Sequence, residues 1–329
     1  MRDQQISQMA TIFRSAKRTF TCKLDKPLAD NTLFIEATAL GNILKKDDLV
    51  VGDRVEVVIG HSDGEFVITN LEERKNEIYR IILREGKKKV TAANVDYLVI
   101  VVSATLPAYK AALVDRYLLR SFQWGIPAIL VFNKMDEFAE EGDFLKEEEK
   151  GYNPLLEDVI ELSAFKGDSY RPRFLKKGIK ELKEKIKNKK ALFVGHSGVG
   201  KSHLISTLTE GHVKLKNQEL AKANKGKHTT TWSEIIEYNG YSFIDSPGIR
   251  SFSLDDLDPR ELIDYFPDLF AIARTCRFSN CQHQLGLSDN TGCSFYEYQN
   301  DIFLMRRLDS YKQIEEQIST IPFWKNKFK

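Results

Sequence analysis

The chain has 329 residues, room for two domains or three small ones and too many for a single small module. Lys and Arg number 49 against 47 Asp and Glu, so the net charge is only +2, which excludes a uniformly basic coat and confines any nucleic-acid surface to local patches. Hydrophobic residues at 42% and charged residues at 29% exclude a disordered chain and supply several apolar cores.

The opening MRDQQISQMATIF lacks the basic start and apolar stretch of a secretory signal. The longest apolar run, Tyr97 to Val102, is far too short to span a membrane, so a cytoplasmic protein without membrane contact is expected. From about Thr32 to Leu83, short β-rich runs (LFIEATAL, RVEVVIG, EFVITN, YRIIL) alternate with turns such as Val51-Gly52-Asp53 and Asp63-Gly64. That spacing predicts a small antiparallel barrel, and the pattern alone fits a generic β-domain as well as an OB-fold. From about Val90 apolar strands alternate with helical stretches: DYLVIVV, Ala111 to Trp124, PAILVF, DVIEL, a Lys-rich helix over 176–190, ALFV, a helix from Lys201, and the strand pair TWSEIIEY and YSFID. Alternation of this kind predicts a doubly wound α/β domain. After Ser253 the pattern turns helical, from LDDLDPRELIDYF to FLMRRLDSYKQIEEQI, giving expected segments of 1–89, 90–254 and 255–329.

Gly195-His196-Ser197-Gly198-Val199-Gly200-Lys201-Ser202 matches G-x-x-x-x-G-K-[ST] between the strand ALFV and a helix. Glycines let backbone amides wrap phosphates, and the following helix N-terminus favours their charge. The amides from Gly198 to His203 are expected to cradle the phosphates, with Lys201 reaching the β- and γ-phosphates and Ser202 on Mg²⁺. Asn133-Lys134-Met135-Asp136 ends the strand PAILVF. The Asp136 carboxylate can accept from guanine N1 and N2 together, which adenine cannot offer, and Asn133 can bond the other base edge or tie loops together. Ser163-Ala164 follows DVIEL, where the Ala164 amide fits the guanine oxygen. Asp245-Ser246-Pro247-Gly248 matches D-x-x-G, with Asp245 holding Mg²⁺ through water and the Gly248 amide on the γ-phosphate. Lys225 to Thr231 (KGKHTTT) lies where a γ-phosphate-sensing loop belongs; Thr229 or Thr230 completes the Mg²⁺ shell, Thr230 being slightly favoured. GTP or GDP with Mg²⁺ is the expected ligand.

In a conventional small GTPase the phosphate loop comes first and the guanine-reading motif last. Here NKMD and SA precede the phosphate loop, the Thr loop and DSPG, so the domain reads as circularly permuted, and the loop after Gly248 runs straight into the C-terminal region. With VGDRVEV at 51–57, SAF, GHSGVGKS, KHTTT, DSPG and a C-terminal Cys/His segment in this order, the chain resembles the circularly permuted GTPases of bacterial ribosome biogenesis. It is most similar to the ribosome small-subunit-dependent GTPase A group. The resemblance covers nearly the whole chain. It implies an N-terminal OB-type β-barrel, a central α/β P-loop GTPase domain and a C-terminal helical zinc-binding domain. It further implies a cytoplasmic GTP hydrolase that acts in late maturation of the small (30S) ribosomal subunit and is stimulated by it; a monomer that binds the subunit and its 16S rRNA with GTP and leaves after hydrolysis is expected.

Cys276-x4-Cys281-x-His283-x9-Cys293 supplies three thiolates and one imidazole, a closed tetrahedral set that suits one structural Zn²⁺. The last gap is a few residues longer than in the family. Cys22 stands apart as a small packed side chain. Ile249 occupies the place after D-x-x-G where conventional relatives carry Gln, and an aliphatic side chain cannot orient water, so slow intrinsic turnover is expected. His228 is the candidate replacement, and a non-catalytic nucleotide-dependent rRNA-binding checkpoint protein is the alternative that Ile249 suggests. Candidate RNA-facing residues are Arg80, Arg84 and Lys87-Lys88-Lys89, ahead of the Lys-rich helix and the tail Lys325-Asn326-Lys327-Phe328-Lys329, which read as solvated faces.

Overall fold

Alternating apolar and polar residues build the N-terminal region as a barrel in the computed structural model, which describes residues 7–16, 19–41, 43, 48–59, 65–139, 142–212, 233–245, 253–283 and 292–323. Strands β1 (Ser7–Ala16), β2 (Thr19–Leu24), β3 (Phe34–Ala39), β4 (Arg54–Ile59) and β5 (Phe66–Leu71) lie in the order β1-β2-β3-β5-β4, and a β1–β4 pairing closes the ring. β3 and β5 run parallel, the other neighbours antiparallel. Every second side chain of β2 and β3 points inward, so Phe20, Cys22, Leu24, Ile35 and Ala37 fill the interior with Ile12, Val55 and Ile68. Burial pushes the Cys22 thiol up to about 12, which keeps it neutral and packed. The closed five-stranded barrel is OB-like.

Two expectations for this region need correction. The barrel begins at Ser7 rather than near Thr32, because β1 mixes Ser, Gln, Thr and Arg with its apolar residues and carries no strong strand signature. YRIIL is not a barrel strand: it lies in β6 (Glu77–Ile82), which pairs with β7 (Lys87–Ala93) in a separate two-stranded sheet. Asn76 and Asn94 fasten the base of this hairpin, Asn76 Nδ2 donating to Val95 O at 2.8 Å and Asn94 Nδ2 to Gly52 O at 3.0 Å. The expected boundary at 89/90 falls inside β7.

The central sheet has the order β10-β9-β8-β11-β13-β12, from β8 (Tyr97–Ser103), β9 (Ala128–Asn133), β10 (Asp158–Glu161), β11 (Lys190–Val194), β12 (Glu234–Tyr238) and β13 (Tyr241–Asp245). All neighbours are parallel except β12–β13. β8 is buried on both faces, as its unbroken apolar run demands. Leu98, Ile100 and Val102 pack with Val114 and Leu118 of α1 (Ala111–Trp124). Val99 and Val101 face Ile179, Leu182 and Ile186 of α3 (Ile179–Ile186) and Leu204 of α4 (Lys201–Leu208). α2 (Asp143–Tyr152) covers the first of these faces. The hairpin packs on α1, Trp124 Nε1 donating to Tyr79 O at 3.1 Å.

The Lys-rich helix is shorter than 176–190. It starts after Gly178, whose amide donates to Glu181 Oε2 at 2.7 Å, and Lys187 leaves helical geometry. Leu254, Leu257, Leu262, Phe266 and Leu269 form the last core with Leu304, Leu308, Tyr311, Ile314 and Ile318 of α6 (Ile302–Ser319). α5 (Pro267–Ala273) carries Asp268 towards α6. Leu119 of α1 joins this core, and Arg307 of α6, 1% exposed, donates to Asp115 Oδ1 of α1 at 2.7 Å and to Asp268 Oδ1 at 2.9 Å.

Candidate functional site

Because β8, β9, β10, β11 and β13 are parallel, Ser103, Asn133, Ser163, Gly195 and Asp245 all come to one edge of the sheet, the edge where open α/β sheets bind ligands. The phosphate loop leaves β11 there and turns into α4. Glycine is required at both ends of the loop. Gly195 lies at φ +145°, and a Cβ on it would sit 2.1 Å from Val101 O; Gly200 lies at φ +95°, and a Cβ would sit 2.4 Å from Asn133 Nδ2. Ser197, Gly198, Ser202 and His203 are exposed, and His196 Nδ1 lies 2.9 Å from Ser197 O.

Lys201 opens α4 and folds back over the loop, donating to Gly195 O at 2.7 Å and His196 O at 2.9 Å. Burial holds its ammonium below the ordinary lysine range, and carbonyls only partly compensate the charge. An anion placed in the loop would restore it.

Asn133, 1% exposed, ties loops together, one of the two roles the sequence leaves open. Its Nδ2 donates to Val199 O of the phosphate loop at 2.8 Å, and its Oδ1 accepts from the Ala164 amide at 2.9 Å. One side chain therefore couples NKMD, SA and the phosphate loop. The Ala164 amide, expected at the guanine oxygen, is engaged in that tie. Thr207 Oγ1 of α4 holds the same loop from below, donating to Ala164 O at 2.8 Å, and Ser163 is fully buried, accepting from the Lys166 amide at 3.1 Å. Lys134 lies at φ +64° and donates from Nζ to Leu106 O at 2.7 Å, closing NKMD against the loop after β8. Asp136 is half-buried at the same edge. Met135, grouped with the binding residues, has its side chain fully buried in the apolar core and holds the motif in place from beneath. β13 ends at Asp245, and Lys225, Lys227, His228, Thr229, Thr230 and Gly248 lie outside the described residues.

The second cluster joins Cys276, Cys281, His283 and Cys293, whose ligand atoms all lie within 4.8 Å of one another. His283 Nδ1 faces Cys276 Sγ at 3.5 Å and Cys293 Sγ at 3.8 Å. The longer last gap does not keep Cys293 away. His283 adopts φ +53°, is held through its carbonyl by Lys312 Nζ at 2.7 Å, and packs edge-on to Phe295. Burial first, and then the Lys312 charge, push His283 below the usual imidazole range and so keep it neutral, the ligating form. Burial and the neighbouring sulfurs push Cys293 up to about 11, a crowding of soft donors that a divalent cation relieves. The donor set and its closeness fit a tetrahedral S₃N centre without an open position.

Arg80, Arg84 and Lys87 to Lys89 are exposed on the hairpin, Lys88 lying 4.2 Å over the Tyr79 ring and pairing with Glu77. At α3, Lys183 pairs with Asp168 at 2.6 Å and Lys185 with Asp158 at 2.6 Å. Among the described residues no helix is long and apolar enough to cross a membrane.

The sequence profile of the RsgA GTPase family matches residues 71–255. A Bacteroides thetaiotaomicron protein described as small ribosomal subunit biogenesis GTPase RsgA 2 is 34% identical over 277 residues, spanning 82% of this chain and 84% of its own length. The Bacteroides fragilis protein described as small ribosomal subunit biogenesis GTPase RsgA is 33% identical over 264 residues, 78% of this chain and 82% of its own. Among solved structures, YjeQ from Thermotoga maritima matches with a TM-score of 0.71 at 25% identity, covering 96% of this chain and 99% of that one. The structure of YloQ, described as a circularly permuted GTPase, shares the fold with a TM-score of 0.70 at 22% identity and 97% coverage of both chains.

Proposed function

The chain belongs to the RsgA GTPase family, and from that membership we propose that it hydrolyses GTP on the small (30S) ribosomal subunit as a timing factor in the subunit's late maturation. Asn133 carries this reading most directly, because one buried side chain locks the base-reading loops to the phosphate loop. Family membership favours a hydrolase over a non-catalytic checkpoint protein.

In the reaction a water attacks the γ-phosphorus, the bond to the β–γ bridging oxygen breaks, and GDP and phosphate leave. Asp136 selects guanine, the amides of the 195–203 loop and Lys201 bind the phosphates, and Ser202, Asp245 and Thr230 would hold Mg²⁺, which neutralises phosphate charge. Thr229 and the Gly248 amide sense the γ-phosphate, and His228 stands in for the Gln that Ile249 displaces. One zinc bound by Cys276, Cys281, His283 and Cys293 closes the C-terminal segment as a structural ion, and metal analysis of the purified chain should return one zinc per chain; none would reject it. The exposed cations of the β6–β7 hairpin supply phosphate contacts to 16S rRNA, so binding weakens as salt rises. A monomer working in the cytoplasm suits this role.

GTP favours binding and hydrolysis favours release. Co-sedimentation with small subunits should therefore be at least several-fold greater with a non-hydrolysable GTP analogue than with GDP. Equal binding in both states would reject the timing role.

A further inference from the structure

Phe165 follows directly on Ser163-Ala164 and is 77% exposed, although its mount is fixed. The Ala164 amide is bonded to Asn133 and the Ala164 carbonyl to Thr207, while the Lys166 and Gly167 amides both donate back to Ser163, at 3.1 Å to Oγ and 2.9 Å to the carbonyl. A large apolar ring held in solvent by a loop that is bonded on both sides of it leaves its burial unrealised. The Phe165 ring stands edge-on to His203, with centroids 6.1 Å apart and planes at 86°. His203 lies in the first turn of α4, two residues beyond Lys201.

The pair thus bridges the base-reading side of the site, with Asp136, and the phosphate loop. A nucleotide with its phosphates at the start of α4 and its base at Asp136 must lay its sugar and one base face across this gap. On the guanine-nucleotide reading above, we propose that Phe165 is an aromatic cover for the nucleoside. Its ring packs on the bound purine, exchanging the edge contact with solvent for a stacked or edge contact with the base, and retains GTP and GDP in the site. Stacking uses the π-face that all purines share, so Phe165 sets residence while Asp136 sets base identity. Asp136 and Phe165 therefore have separable signatures.

The test is calorimetric titration of the full chain with GDP, paired with dissociation kinetics, for the wild type, Phe165→Ala and Phe165→Tyr. Because the ring is exposed, Phe165→Ala should unfold at the wild-type temperature. It should bind GDP about tenfold more weakly through faster dissociation, and Phe165→Tyr should restore wild-type affinity. Wild-type affinity in Phe165→Ala overturns the cover, and so does a variant that binds GDP normally but loses only its response to small subunits, which would assign the ring to that interface. A wild type that fails to bind GDP rejects the nucleotide reading itself, and the cover with it.

Discussion

Replacing Lys201 by alanine should abolish subunit-stimulated GTP turnover while leaving the protein folded. The ammonium is the one side-chain charge that the phosphate loop itself supplies, and the carbonyls of Gly195 and His196 hold it over the loop at 2.7 and 2.9 Å. As the γ-phosphoryl group departs, charge builds on the bridging and equatorial oxygens, and a preorganised cation there is worth far more than in water. Loss of a single such group costs roughly a thousandfold in rate, about 4 kcal/mol of transition-state stabilisation. Stability should move the other way. A lysine whose folded pKa lies below its unfolded value costs stability wherever the group is charged in both states, and the cost fades as pH rises through the folded pKa. At neutral pH the nucleotide-free Lys201→Ala protein should be no less stable than wild type, yet added GTP should stabilise it less. Phosphate release and thermal unfolding with and without nucleotide read both effects, and turnover within tenfold of wild type would contradict the assignment.

The second large effect lies away from the nucleotide. Arg307→Ala should destabilise the fold by about 3–5 kcal/mol, a large share of the roughly 5–15 kcal/mol available to a domain. Arg307 is 1% exposed and Asp115 is fully buried. Asp115 Oδ1 accepts from both Arg307 Nη1 and Tyr152 Oη at 2.7 Å, while Asp115 Oδ2 has no hydrogen-bond partner among the described residues. Removing the guanidinium strands that carboxylate without a countercharge and frees Asp268 as well. The neighbouring Arg306–Glu148–Tyr109 chain links α6 to α2 and to the segment before α1, with Tyr109 Oη 2.6 Å from Glu148 Oε2. Pairing Arg307→Met with Asp115→Asn should recover part of the loss, because the uncompensated charge goes with its partner. Urea denaturation measures both variants, and a loss below about 1 kcal/mol for Arg307→Ala would show the pair to be weakly coupled to folding.

What the sequence discloses and what it hides follow from how local each signal is. GHSGVGKS lies between a strand and a helix within a dozen residues, so its geometry is readable directly, and β8, β9 and β11 announce themselves by their apolar runs. Asn133 is visible as a motif residue, but its role depends on Val199 and Ala164, which only the sheet order brings to it. β-propensity does not say which sheet a strand joins, so YRIIL reads as a barrel strand until β6 is seen to pair with β7 alone and Trp124 to fasten the hairpin on α1. β1 hides because a barrel strand with a wet face needs few apolar residues. The Arg307–Asp115 pair joins residues 192 positions apart and has no local trace. Cys293 carries the opposite lesson: it lies ten residues after His283 in the sequence, yet its sulfur sits 3.8 Å from His283 Nδ1.

The central claim is that this chain is a guanine-nucleotide hydrolase switched on by the small ribosomal subunit. Multiple-turnover phosphate release from GTP, with and without purified small subunits and with ATP as the control, tests it most directly. Slow release from GTP alone, a rise of at least tenfold on adding small subunits, and no comparable release from ATP are the predicted results. Unchanged release in the presence of small subunits, or equal use of ATP, would contradict it.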